Sequence, residues 1–122
     1  MEKIKPMLSL VIPAKNEEES VEILYKELVD VLDRLKEDYE IIFVDDGSTD
    51  STFEVLKNLQ HHNKKIKLVR HRGNWGKSIA LQNGFDKARG EIIMTLDADL
   101  QDNPQDISAF LKKIDEGYDL VS

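Results

Sequence analysis

A mostly parallel, doubly wound α/β sheet is the fold class this sequence predicts, and three observations predict it. Apolar runs of strand length alternate with stretches of helical periodicity along the whole chain. The runs are compact blocks of Val, Ile, Leu and Phe, as buried strands require. Two of them end abruptly in carboxylates, Asp45-Asp46 after Val44 and Asp97-Ala98-Asp99 after Leu96. Strands joined this way are parallel and linked by right-handed crossovers.

Taken in order, Met7 to Pro13 reads as a buried strand stopped by proline. Asn16 is placed to cap the next helix, with Glu19 completing a capping box. Val21, Leu24, Leu28, Val31, Leu32 and Leu35 then share one helical face. Glu40 to Val44 is a second buried strand. A helix through about Gln60 turns Thr52, Leu56 and Leu59 inward, and Ser51 with Glu54 offers a second capping box. Lys65 to Arg70 is shorter and more polar, as an edge strand is. After the loop 72–76, a helix from Lys77 to Arg89 has Ala80, Leu81, Gly84, Phe85 and Ala88 as its inner face, with Gly90 as its stop. Glu91 to Leu96 forms the next strand, held in the core. Asn103-Pro104 opens a helix buried through Ile107, Phe110, Leu111 and Ile114 and ended by Gly117. Asp119 to Ser122 begins another strand.

At 122 residues the chain is one domain at most, able to bury about two-thirds of its unfolded surface. Hydrophobic residues make up 40% and charged residues 34%, so a solvated surface surrounds an ordinary core. Cysteine is absent, which excludes disulfides and zinc–thiolate sites. His61, His62 and His71 fall in a helix end and a loop with no metal-ligand spacing. A net charge of −7 argues against nucleic acid as a partner. Lys64, Lys65, Lys67, Arg70, Arg72 and Lys77 nevertheless form a stretch without acids. That stretch fits a small anion or an anionic membrane surface, and equally a solvated strand edge. No run is long enough to span a bilayer and no signal peptide is present, so the segment is expected to be cytoplasmic.

The chemistry gathers at the strand ends. Extended-chain alternation puts Asp97 and Asp99 on one side with small Ala98 opposite. Two hard oxygen donors there suit Mg²⁺ or Mn²⁺ held together with substrate phosphates; an acidic, helix-capping loop is the plainer alternative. In parallel sheets ligands collect at the carboxyl ends of strands. Pro13 to Glu17, Asp45 to Gly47 and Asp97 to Asp99 therefore face one crevice. A nucleoside diphosphate would be repelled by these carboxylates unless a divalent cation reversed the sign. Helix N-termini after Asn16 and Ser48 add amide donors. Asp46, without a cation partner nearby in sequence, suits a base N–H or ribose hydroxyl and is expected to serve a ligand more than the fold. Lys77 could reach phosphates or base. Taken singly, Asp46 is also a turn residue and Lys77 a solvated side chain. Neither a dinucleotide fingerprint nor a P-loop occurs. A receiver-like domain would also use acidic strand ends, but an Asn-Pro helix start after the acidic loop fits it poorly.

The segments Leu10-Val11-Ile12-Pro13-Ala14-Lys15-Asn16-Glu17, Val44-Asp45-Asp46-Gly47-Ser48-Thr49-Asp50, Asn74-Trp75-Gly76-Lys77 and Leu96-Asp97-Ala98-Asp99-Leu100-Gln101-Asp102 closely resemble glycosyltransferase family 2. Within it the chain is most similar to the dolichyl- or polyprenyl-phosphate sugar synthases. The resemblance runs from Leu8 to Ser122. It implies a GT-A fold with a Rossmann-like nucleotide-binding half, a UDP- or GDP-linked sugar donor, a divalent metal (Mg²⁺ or Mn²⁺), and inversion at the anomeric carbon. By motif position it places Pro13, Ala14, Asn16, Glu17, Asp46, Lys77, Asp97 and Ala98 around the donor, and Asp97, Asp99 and Gln101 on the metal. Asn103-Pro104-Gln105 departs mildly from the usual Pro-Pro-Glu.

Relatives continue into an acceptor-binding half and often membrane helices. The chain is therefore expected to be a truncated donor half whose longer form works at the cytoplasmic face of a membrane on a lipid phosphate. No catalytic base is assignable, and self-association through an open sheet edge is expected. A non-catalytic nucleotide-sugar-binding module is the alternative function.

Overall fold

A computed structural model describes residues 8–35 and 38–98. Among these residues four strands and three helices alternate: β1 Leu8–Ala14, α1 Val21–Leu35, β2 Tyr39–Asp46, α2 Thr52–His62, β3 Ile66–His71, α3 Lys77–Lys87 and β4 Ile92–Thr95. Every strand pair is parallel and the order is β3-β2-β1-β4. This is the predicted α/β class, with β3 at an edge as its polarity requires. The chain winds outward from β1 through β2 to β3, then returns to β4 on the other flank of β1. The strand order reverses there, where open parallel sheets leave a crevice at their carboxyl edge.

Residue alternation divides the core. Leu8, Leu10 and Ile12 of β1 and Ile41 and Phe43 of β2 face Val21, Leu24, Leu28, Val31 and Leu32 of α1 and Leu56 and Leu59 of α2. Val11, Ile42 and Val44 face the opposite way, against Ala80 of α3. β4 is less enclosed than the sequence suggests. Ile92 and Met94 pack on the α1/α2 side, but Ile93 points to the other face and is 43% exposed among the described residues.

Three local expectations are corrected. Phe85 is 42% exposed, not inward. Ala80 and Gly84 define the buried line of α3, and Phe85 lies about 100° further round the helix. Ser51 makes no side-chain cap, since its backbone is not extended as a capping residue needs. Asp50 substitutes, its Oδ1 accepting from the Thr52 amide at 2.9 Å and from the Thr52 hydroxyl. Gly90 does not stop α3, which ends at Lys87 with an extended Ala88. The Gly90 amide instead donates to Ser9 Oγ at 2.7 Å, so the chain crosses tightly over the start of β1. The Leu35 side chain, the 104–117 helix and the strand at Asp119 lie outside the described residues.

The basic stretch is largely matched by acids of β2 and its approach. Lys65 Nζ lies 3.4 Å from Asp38, Lys67 Nζ 2.6 Å from Glu40, and Arg70 Nε 3.9 Å from Asp45. Parallel register sets Arg70 directly opposite Asp45, and Lys67 opposite Ile42, two residues beyond Glu40 on the same face. A strand-edge charge ladder therefore accounts for much of what looked like an anion patch. Glu40, itself buried, also accepts from Ser9 Oγ at 2.6 Å and the Arg89 amide at 2.6 Å. Burial pushes its carboxyl pKa up, but Lys67, Ser9 and the Arg89 amide together hold it below the usual glutamate value.

A Cβ on Gly84 would overlap Val11 Cγ1 and press on Val44 Cγ2 at 3.2 Å. Alanine ordinarily stabilises a helix interior by up to ~1 kcal/mol over glycine. At this contact the sign reverses: Gly84→Ala should destabilise by about 1–3 kcal/mol through overpacking, read from the urea midpoint. A gain in stability would mean that α3 does not sit this close to the sheet.

Candidate functional site

The loops after β1 and β2 emerge level with one another because Ala14 pairs with Asp45. They are then fastened together. Asn16 adopts φ 54°, a left-handed conformation that asparagine tolerates. Its Oδ1 accepts from the Thr49 amide at 2.8 Å, and its own amide donates to Ser48 Oγ at 2.9 Å. The Glu17 amide donates to Thr52 Oγ1 at 2.8 Å. Asn16 thus ties the second loop instead of capping α1. Glu17, not Glu19, organises the start of that helix: its carbonyl accepts from the Val21 amide at 3.0 Å, and its carboxylate from Ser20 Oγ at 2.6 Å.

Asp45 and Asp46 project to opposite faces of β2. Asp45 is buried, with Oδ1 accepting from the Ser48 amide at 3.1 Å. Asp46 is also buried, and both of its oxygens are engaged. Oδ1 accepts from His71 Nδ1 at 2.9 Å and from the Trp75 amide at 2.9 Å. Oδ2 accepts from the Gly76 amide at 3.0 Å. Asn74, with its amide turned to satisfy both neighbours, donates to Oδ2 at 2.8 Å and accepts from Lys15 Nζ at 2.7 Å. Burial alone would raise the Asp46 pKa. The His71 contact and the two loop amides outweigh it and hold the carboxyl below the usual aspartate value.

The expectation that Asp46 serves a ligand more than the fold is corrected: its partners lie 25 or more residues on in sequence and belong to the protein itself. Asp46 is the anchor of the 74–76 loop. Gly47 permits that contact: its φ is +76°, and a Cβ there would run into the Gly73 carbonyl carbon. His71 is corrected too, since it ends β3 and is buried rather than lying in a loop.

At the other side of the crevice, Lys77 Nζ at the start of α3 lies 2.7 Å from Asp97 Oδ1 just beyond β4. Both groups are partly exposed. A cavity of about 340 Å³, open to solvent, is lined by Pro13, Ala14, Lys15, Glu17, Asp46, Asn74, Lys77, Asp97 and Ala98. Seven of the eight residues assigned to the donor by motif position meet there, and Asn16 does not. Lys15 and Asn74 join them without having been singled out as ligand contacts. Asp99 and Gln101 lie outside the described residues, and among the described residues no three metal-ligating side chains converge. Asp97 is itself a hard oxygen donor, half-exposed and already facing a cation, as a Mg²⁺ or Mn²⁺ ligand at this position would be.

The residues that sequence reasoning passed over, His71 and Asn83 above all, are visible only through register. Asp46 and His71 end adjacent parallel strands and are direct partners. Asn83 Nδ2 faces His71 Nε2 at 2.9 Å from α3.

An open parallel sheet with an acid- and lysine-lined crevice at its switch point is the framework of an open α/β domain, in which ligands bind at that edge. Residues 9–122 match the model of Glycosyl transferase family 2, and the chain belongs to that family. It is 47% identical over 114 residues to an uncharacterised glycosyltransferase of Synechocystis sp., covering 93% of this chain and 36% of the relative. It is 41% identical over 122 residues to undecaprenyl-phosphate 4-deoxy-4-formamido-L-arabinose transferase of Photorhabdus laumondii, covering 98% and 37%. Among solved structures it is similar to the Pyrobaculum calidifontis mannosyltransferase PcManGT in complex with GDP-Man and Mn²⁺. That likeness has a TM-score of 0.64 and 27% identity over 78% of this chain and 28% of that one. The chain spans about a third of the length of the curated relatives it matches.

Removing the Asp46 carboxylate strands the Trp75 and Gly76 amides and the His71 ring. Asp46→Ala should therefore lower the ligand-free stability by about 1–3 kcal/mol, measured by denaturant unfolding. An unchanged midpoint would show that the loop does not depend on this anchor.

Proposed function

We propose that the domain binds a nucleoside-diphosphate sugar, UDP- or GDP-linked, in this crevice together with Mg²⁺ or Mn²⁺. The longer protein would pass the sugar to a polyprenyl or dolichyl phosphate at the cytoplasmic face of a membrane, with the inversion that the family resemblance implies. The observation that carries the proposal is the meeting of Pro13, Ala14, Glu17, Asp46, Lys77, Asp97 and Ala98 around one cavity. Supporting it are a relative whose name specifies an undecaprenyl-phosphate sugar transferase and a similar structure that holds GDP-Man and Mn²⁺.

Each wall has a chemical task in this scheme. Asp97, with Asp99 and Gln101 from the adjoining motif, would hold the metal. The metal would neutralise the diphosphate, which these carboxylates alone would repel. Lys77 and Lys15 would add positive charge from the two sides. Asp46 and the loop it anchors would meet the nucleoside. Among the described residues no helix is long and apolar enough to cross a membrane, so contact with a lipid acceptor is assigned to the longer protein.

Titration calorimetry of UDP and GDP, each with Mn²⁺ and with EDTA, tests the proposal. Binding should strengthen with the metal, and Asp97→Asn should remove the difference. Equal affinity in EDTA would overturn the metal's role, and no binding of either nucleotide would overturn the donor site.

The 122-residue chain by itself should bind donor without turning over. Rate enhancement needs an acceptor held against the anomeric carbon and a group to take its proton. Incubation with radiolabelled UDP- or GDP-sugars and polyprenyl phosphate checks this. Labelled lipid above background would show that the donor half suffices.

A further inference from the structure

We propose that His71 is a positioning residue for the crevice, fixing the Asp46 carboxylate and through it the loop Asn74–Gly76. The inference goes beyond the proposed function in naming what holds the nucleoside-facing wall in place. It rests on that function only for its effect on affinity.

Geometry sets the state of the ring. Asn83 directs its Nδ2 at His71 Nε2 from 2.9 Å, so Nε2 accepts. The ring hydrogen of the neutral imidazole is then on Nδ1, which donates to Asp46 Oδ1 at 2.9 Å. Three elements meet at this one side chain: Asp46 ends β2, His71 ends β3 and Asn83 belongs to α3. The Trp75 ring closes over the imidazole, with centroids 4.3 Å apart and planes 24° from parallel. His71 itself is 3% exposed. A buried ring held at both nitrogens has one orientation, and it lends that orientation to the carboxylate.

The consequence reaches both sides of the cavity. Asp46 holds the Trp75 and Gly76 amides, and Gly76 is the residue from which α3 starts at Lys77. Asn74, on the same carboxylate, is the partner of Lys15. Displacing Asp46 would therefore shift two pocket cations at once. The sequence offers no second acid-binding group at this point of β3, since the neighbouring Arg70 points to the opposite face and toward Asp45.

Two substitutions separate positioning from simple packing. In His71→Asn the side-chain amide occupies the place of Nδ1 and keeps the donation to Asp46. In His71→Gln the amide extends toward Nε2 and Asn83 and loses it. Both remove the ring stacked on Trp75, so both should lower the melting temperature, and a purely structural role would not distinguish them. Amide hydrogen exchange on the whole chain should show Trp75 and Gly76 exchanging about tenfold faster in His71→Gln and near the wild-type rate in His71→Asn. The affinity for UDP or GDP with Mn²⁺ should fall about tenfold in the Gln variant and be retained in the Asn variant. Equal exchange rates in the two variants, or protection kept in His71→Gln, would overturn the positioning role. If the wild-type chain binds neither nucleotide, the donor-site proposal fails, while the exchange comparison still decides the part played by His71.

Discussion

The parallel pairing of β1 with β2 is the constraint from which the rest of the molecule follows. Both strands are buried along nearly their whole length, so both faces of the sheet must be covered. Helices α1 and α2 take one face and α3 the other, as a continuous apolar strand demands. Once the strands run the same way, their carboxyl ends must emerge at one edge. The register that sets Ala14 opposite Asp45 brings the two following loops into hydrogen-bonding reach. Site and core are thus products of one pairing. A slip of one residue would turn Asp46 toward α1 and α2 and Asp45 toward the crevice.

Charge at this edge is arranged by the same register. A carboxylate in a buried strand is costly unless its oxygens are occupied. Glu40 at the start of β2 and Asp46 at its end solve this differently. Glu40 meets an ammonium, a hydroxyl and an amide, and joins the lower ends of three strands. Asp46 meets a ring nitrogen, two loop amides and an asparagine. Both end below their ordinary pKa despite burial. A group depressed in this way contributes stability that is complete above its unfolded pKa. That contribution disappears as pH falls through the lower folded value. Acid should therefore loosen both ends of β2 together, below the ordinary carboxylate range.

What the sequence displays depends on how local the cause is. Strand positions, helix faces and the gathering of Pro13, Asp46 and Asp97 at one edge follow from apolar runs and winding, which are written in short windows. The Asn16 capping box failed because its side-chain oxygen is taken by the Thr49 amide, 33 residues on, and the Ser51 box failed because the adjacent Asp50 accepts from the Thr52 amide instead. Phe85 failed because a helix face one residue too wide looks acceptable in a periodic pattern. His71 was invisible for a different reason. Nothing within β3 marks a histidine as the partner of Asp46, 25 residues away, until the register is known. Three histidines judged only by metal-ligand spacing look idle. The adjoining motif at Asp99 and Gln101 was legible as a pattern and lies outside the described residues.

The saturation of Asp46 bears on how the proposed donor would be read. Both oxygens are already occupied, so a base N–H arriving at this carboxylate must share an oxygen or replace a loop amide. Replacement would release part of the Asn74–Gly76 loop as the nucleoside is gained. The measured affinity would then be the difference between two sets of hydrogen bonds rather than the worth of one. Such an exchange couples the nucleoside to Lys15 and Lys77, because the loop carries the partner of one and the helix start of the other. A nucleoside without phosphates would meet the cost of loosening the loop and recover little. A nucleoside diphosphate would recover it through the two lysines and the metal. If the proposed donor binds here, the crevice would select for the diphosphate through the loop, and Asp46 would contribute most to discrimination when its bonds to the protein are strong.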